Sequence, residues 1–239
     1  MQSNLSLEFG PLVRAVFLER PNRFLAICQL ECSSETVEAH VADPGRLKEL
    51  LVPGAVVYLR SSDNPTRRTK WSVILVEAPG AVLVSLQSAL VNQLTDMALR
   101  NKAVAELEDW ELVNREYTVG KSRFDFLLRK SRGKQMLLEV KSCTLVQDGM
   151  AMFPDAVTTR GRRHLQELTH LQASGAYGGT VLFVVQRSDA RAFKPAEHID
   201  PQFAEALRQA HQGGIGVLVY DCKVDVHGIA WGQRLPVDL

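Results

Sequence analysis

The run Leu137-Leu138-Glu139-Val140-Lys141-Ser142 sets a carboxylate and an ammonium two residues apart among aliphatic side chains. On a β-strand, positions i and i+2 share a face, so Glu139 and Lys141 are expected side by side. Burying both charges there costs on the order of several kcal/mol unless they are paired, metal-bound or open to a cleft. A second alternating run, Ser122-Arg123-Phe124-Asp125-Phe126-Leu127-Leu128, sets an acid among aromatic and aliphatic neighbours. A hairpin between the two runs would bring Asp125 beside Glu139, completing the pattern D…E-x-K.

That pattern suits phosphodiester hydrolysis. Two carboxylates from adjacent strands can hold a hard, oxygen-preferring cation such as Mg²⁺ or Mn²⁺ and leave positions free for water and a phosphate oxygen. The cation acts as a Lewis acid and lowers the pKa of its water. Lys141 can orient that water or neutralise charge growing in the transition state. The same three residues could instead form a cross-strand ion pair on a solvated sheet face. Both readings stand at this point.

The chain has 239 residues, enough for one large domain or two small ones, and its formal charge of +1 supplies no whole-molecule field to attract a polyanion. Polyanion binding would have to come from local patches. Arg60 to Lys70, with Arg67 and Arg68 at its centre, is one such patch, and Arg160, Arg162, Arg163 and His164 form another. Either can be a phosphate contact or an ordinary solvated surface.

Cys28, Cys32, Cys143 and Cys222 show no disulfide or zinc spacing, and no secretory segment or membrane-length apolar run is present. The expectation is a reduced, cytoplasmic protein with core or edge thiols.

Several elements must position the acids. Up to Leu86 the chain is a series of short strand-like pieces separated by turns such as Asp43-Pro44-Gly45, Pro53-Gly54 and Pro79-Gly80, with one helical turn at Arg46 to Leu51. About six strands at this spacing predict an OB-like β-barrel over 1–86. From about Ser88 the apolar period becomes helical, through Leu90, Leu94, Met97, Ala98, Val104 and Leu107. Three strands follow, the second and third carrying Asp125 and Glu139. Thr158 and Thr159 offer N-caps to a helix with Leu165, Leu168 and Leu171 on one side, and Asp200-Pro201 starts another. The Val-rich runs Thr180 to Gln186 and Ile215 to Tyr220 read as buried parallel strands. The second domain, 87–239, is therefore expected to be α/β with a mixed sheet.

An αβββαβ order with D…E-x-K on its second and third strands resembles the PD-(D/E)XK nuclease superfamily. The runs Ser122 to Phe126, Glu139-Val140-Lys141-Ser142-x-Thr144-Leu145, Phe153-Pro154-Asp155-Ala156-Val157-Thr158-x-Arg160-Gly161-x-x-His164-Leu165-x-Glu167-Leu168 and Pro195-Ala196-x-His198-Ile199-Asp200 resemble, more narrowly, the sugar fermentation stimulation protein A family. With Arg23-Phe24-Leu25-Ala26 and Ser62-Asp63-Asn64, that likeness spans essentially the whole chain. It implies an OB-like N-terminal domain, a nuclease-fold C-terminal domain, non-specific DNA binding and a regulatory role in sugar (maltose) metabolism. Asp43-Pro44-Gly45 departs from the Asn-Thr-Gly turn that the family often carries.

Arg160, His164 and Glu167 sit at i, i+4 and i+7, one polar face of the helix after the Glu139 strand. Such a face could position a scissile phosphate, or it could brace the helix against the sheet. Asp155 could join a metal shell or hold a turn. Glu106 and Glu116 are the upstream acids that could supply a helix-borne carboxylate. The expected activity is DNA binding with a divalent-metal nuclease site, and a homo-oligomer is left open. The rivals are a non-catalytic DNA-binding regulator that retains the fold and, with no supporting cluster of aromatic and carboxamide groups, a sugar sensor.

Overall fold

The computed structural model describes residues 5–120 and 122–239. After a short β1 (Ser6–Glu8), five strands form the barrel: β2 (Val13–Asn22), β3 (Leu25–Leu30), β4 (Thr36–Val41), β5 (Val56–Ser61) and β6 (Trp71–Ala78). β2 pairs with β3, β3 with β4, β4 runs parallel to β6, and β5 joins β6 back to β2. That circuit is the closed Greek-key barrel of an OB-like fold. Its sequence basis is a period of two: Ala15 and Phe17, Ala26 and Cys28, Val37, Ala39 and Val41, and Val57 and Leu59 point inward and are buried. β7 (Val82–Ser85) turns back to pair antiparallel with β6 and leads into α1 (Ser88–Arg100).

A meander follows, comprising β8 (Trp110–Val119), β9 (Ser122–Lys130) and β10 (Gln135–Cys143). Beyond it lie β11 (Leu145–Gln147), β12 (Met150–Phe153), α2 (Thr159–Ala173), β13 (Gly178–Val185), β14 (Ala192–Pro195), α3 (Pro201–Gln212), β15 (Gly216–Val224) and β16 (Gly228–Arg234). The large sheet runs β1-β16-β15-β13-β10-β9-β8. β10, β13 and β15 are parallel neighbours and the other pairs are antiparallel, so the sheet is mixed as expected.

Two apolar layers sandwich this sheet. On one face Leu94 and Ala98 of α1 pack with Leu138, Val140 and Val184, joined by Ile74 and Leu75 from the barrel, so barrel and sheet share a core. On the other, Leu165 and Leu168 of α2 and Phe203 and Leu207 of α3 pack on Val181, Phe183 and Val219. Thr158 caps α2 through Gly161 N–H at 3.1 Å, and Asp200 caps α3 through Phe203 N–H at 3.0 Å.

The edge pair β1 and β16, and the three-stranded sheet β11-β12-β14, were not anticipated. β11 has three residues and β12 and β14 four each, too few to display a period against their surroundings. All four thiols are free, with Cys32 alone exposed. Among the described residues no helix is long and apolar enough to cross a membrane.

Candidate active site

β9 and β10 pair as far as Phe126 opposite Leu138 and then part. Parting leaves the Val140 N–H without a strand partner, and the Asp125 carboxylate takes it, Oδ2 accepting at 2.8 Å. Oδ1 accepts from Asn92 Nδ2 of α1, also at 2.8 Å. Asp125 is thus held from two elements. Burial first, then the Glu139 charge, push its pKa up against the bonds from Val140 and Asn92 and the Lys141 charge.

Glu139 is only 4% exposed. Its Oε1 stands 2.5 Å from Lys141 Nζ and 2.6 Å from His164 Nδ1. Burial pushes this carboxyl up, but the His164 hydrogen bond and the Lys141 charge outweigh it, and Glu139 titrates below the usual glutamate range. Held as a carboxylate, it only accepts, so His164 Nδ1–H is the donor. The second oxygen differs. Glu139 Oε2 is buried with no hydrogen-bond partner.

An orphaned buried carboxylate oxygen is costly, and a cation would relieve it. Asp125 and Glu139 supply the oxygen donors that a hard dication prefers. The residues present therefore fit a divalent ion. Among the described residues no group of three or more His, Cys, Asp or Glu side chains is gathered for a metal.

The other expected residues distribute as follows. His164, 3% exposed, is brought to the pair by the α2 face read from the sequence, and lies against Phe124. Glu167, on the same face, accepts from Ser122 Oγ at the start of β9, bracing α2 to the sheet. Arg160 and Arg163 are exposed on α2, and Arg162 bonds Gln202 of α3. In the barrel, Arg67 donates to Ser72 Oγ at 2.9 Å while Arg68 is exposed. Asp155 is not brought to the pair; its Oδ2 accepts from Leu47 N–H at 3.2 Å, tying the Asp43-Pro44-Gly45 loop to the segment before α2. Gly45 permits that approach, because a Cβ there would collide with Asp155 Oδ2 and stand 2.9 Å from Asp43 Oδ1.

Glu106 bonds Tyr220 and Arg234, at 2.8 and 2.6 Å, and Glu116 lies exposed beside Arg123. Neither supplies a helix-borne partner to Asp125. Asn92 fills that place, a residue not singled out from the sequence. The available signal was a carboxamide between the core positions Val91 and Leu94, where helical spacing turns it toward the sheet.

Comparison with known proteins follows the same division. A family model described as the sugar fermentation stimulation protein RE domain matches residues 89–228, and one described as the SfsA N-terminal OB domain matches residues 18–86. A sugar fermentation stimulation protein homolog of Shouchella clausii is 41% identical over 231 residues, covering 97% of this chain and 99% of that protein. One from Clostridium botulinum strain Hall is 39% identical over 228 residues, covering 95% and 97%. The solved structure of Pyrococcus furiosus SfsA in complex with Ca²⁺ superposes with a TM-score of 0.88 at 27% identity, covering 99% of this chain and 100% of that one.

Proposed function

The chain belongs to the sugar fermentation stimulation protein family, and from that premise we propose that it is a DNA-binding protein with a divalent-metal-dependent nuclease site at Asp125, Glu139 and Lys141. The observation that carries this reading is the buried, unpartnered Glu139 Oε2, within the field of Asp125. The P. furiosus relative in complex with Ca²⁺, an oxygen-preferring dication, supports the class of ion, and Mg²⁺ or Mn²⁺ would serve catalysis.

Asp125 and Glu139 would hold the cation, whose chemical contribution is to polarise a phosphate oxygen and acidify a water. The chain's own residues do the rest. Val140 N–H and Asn92 fix the Asp125 rotamer, so its charge is placed before substrate arrives. His164 and Lys141 hold Glu139 ionised at neutral pH. Lys141, on the Glu139 face, is the cation that can turn toward a phosphate oxygen as charge grows there. Exposed Arg160, Arg163 and Arg68 supply backbone contacts, which carry affinity without sequence preference.

A second reading is a DNA-binding regulator of sugar metabolism that keeps the acids for structure. The close Lys141–Glu139 pair favours it, since that ion pair alone accounts for the two charges. Incubating the purified protein with Mg²⁺ or Mn²⁺ and linear, supercoiled, single-stranded and branched DNA separates the two. Metal-dependent cleavage lost in Glu139→Ala establishes the nuclease; no cleavage of any form leaves the regulator.

A further inference from the structure

Among the described phenylalanine, tyrosine and tryptophan residues Phe24 alone is exposed, half of its surface open to solvent. Its backbone is not loose. The Phe24 N–H donates to the Asn22 side chain at 2.9 Å, and its carbonyl accepts from Val41 N–H at 3.0 Å. The neighbouring Arg23 guanidinium lies 5.8 Å from the ring centroid. Arg20 locks the surrounding backbone by donating to the carbonyls of Arg23, Asp43 and Arg46, so the segments that carry Phe24 and the exposed cations Arg23 and Arg46 are tied together. Asp43 lies behind the loop, 7% exposed.

Hydrogen bonds link the loop beside this shelf to the elements that carry the carboxylate site. Ser88 Oγ of α1 donates to Ala42 O at 3.3 Å, and Asn92, four residues on, donates to Asp125. Residues i and i+4 share a helix face about one turn apart. On the other flank Leu47 N–H meets Asp155, three residues before the α2 N-cap at Thr158, and α2 carries His164 to Glu139. The barrel loop is thus tied to both helices that reach the site.

We propose that Phe24, with Arg23 and Arg46 on the segments tied to it, stacks an unpaired base of a strand whose backbone runs on to Asp125 and Glu139, making the preferred partner single-stranded or locally unpaired DNA. A duplex keeps base faces inside its own stack and offers a phenyl ring only edges and phosphates, whereas a single strand offers a face at every nucleotide. The arginines on these segments meet the phosphates that accompany each base. This inference deepens the nuclease reading by naming the form of its substrate, and it rests on that reading for where the strand leads.

The test compares full-length parent, Phe24→Ala and Phe24→Trp on a fluorescent oligo(dT) and on a duplex of equal length, with Ca²⁺ present. Phe24→Ala should weaken oligo(dT) binding about tenfold or more, as loss of one base–aromatic stack does, and leave duplex binding unchanged. Phe24→Trp should retain affinity and show indole quenching by oligo(dT). Unchanged oligo(dT) binding in Phe24→Ala, or equal loss on both probes, overturns the shelf. Cleavage assays on the same proteins keep the two claims apart. A Phe24 effect on single strands without cleavage by the parent supports the shelf and sinks the nuclease; duplex cleavage indifferent to Phe24 does the reverse.

Discussion

Asp125 Oδ2 accepts the Val140 N–H at 2.8 Å across the opening where β9 leaves β10. A buried N–H left without a partner costs about 1–3 kcal/mol. One carboxylate therefore closes the broken ladder and, in the same position, adds its charge to that of Glu139. Its structural and chemical uses can be separated by substitution.

Asp125→Asn keeps an acceptor for Val140, and Asn92 can turn its own amide to match. Burial and the Glu139 charge raise the Asp125 pKa, and an acid with a raised folded-state pKa weakens the fold as pH rises through it. The variant should therefore hold or raise the metal-free Tm at pH 7 while losing Mn²⁺ binding in calorimetry. Asp125→Ala should lose both. Parental Mn²⁺ affinity in Asp125→Asn would remove this residue from the metal site.

The pH dependence should have a second source in the barrel loop. Burial, then the Asp155 charge, push Asp43 up to about 6 against the Gly45 N–H and Arg20. The folded state then holds the proton more tightly than the unfolded chain, so this contribution is full below about pH 4 and is lost as pH rises through about 6, on the order of 2–3 kcal/mol. Asp43→Asn, which keeps an acceptor for the Gly45 N–H without the charge, should raise urea stability at pH 8 and flatten its pH profile. Parallel profiles for parent and variant would refute the assignment.

The large elements were legible because their periods are strong. Alternation through Val37, Ala39 and Val41 and the continuous apolar run of β13 leave little choice of state. Glu139 and Lys141 also stand on one face, as i and i+2 require. What stayed hidden depends on tertiary geometry. No local pattern announces that β9 and β10 separate beyond the Phe126–Leu138 pair, and without that opening Asn92 is one more polar helix residue. Nor does helical spacing say how α2 rotates: it put His164 and Glu167 together, but only packing sends one to Glu139 and the other to Ser122. Glu106 and Glu116 were plausible as acids alone, and their partners Arg234 and Arg123 are set by the sheet.

DNA affinity should fall steeply with salt and depend little on sequence. Each phosphate contact contributes about −0.9 to the slope of log K against log salt on duplex DNA. Arg160 and Arg163 face solvent, while Arg162 is engaged by Gln202. Arg160→Glu with Arg163→Glu should reduce the slope by about 2, and adding Arg162→Glu should change it less than either. An unchanged slope in the double variant would exclude α2 from the interface.

Glu139 Oε1 has two donors, and removing each has a different consequence. His164 is buried, so His164→Ala loses both packing against Phe124 and a charge-assisted bond, and should cost stability by about 2–4 kcal/mol in urea unfolding. Lys141→Ala leaves that His164 bond in place. Its effect on Tm should be smaller, Mn²⁺ and DNA affinity should stay close to parental, and cleavage should drop about 10²-fold or more, because an ammonium on this face acts mainly on charge that develops in the transition state. A Lys141→Ala variant that cleaves at the parental rate but melts well below it would assign the ammonium to the fold alone, and with it the regulator reading would gain what the nuclease reading lost.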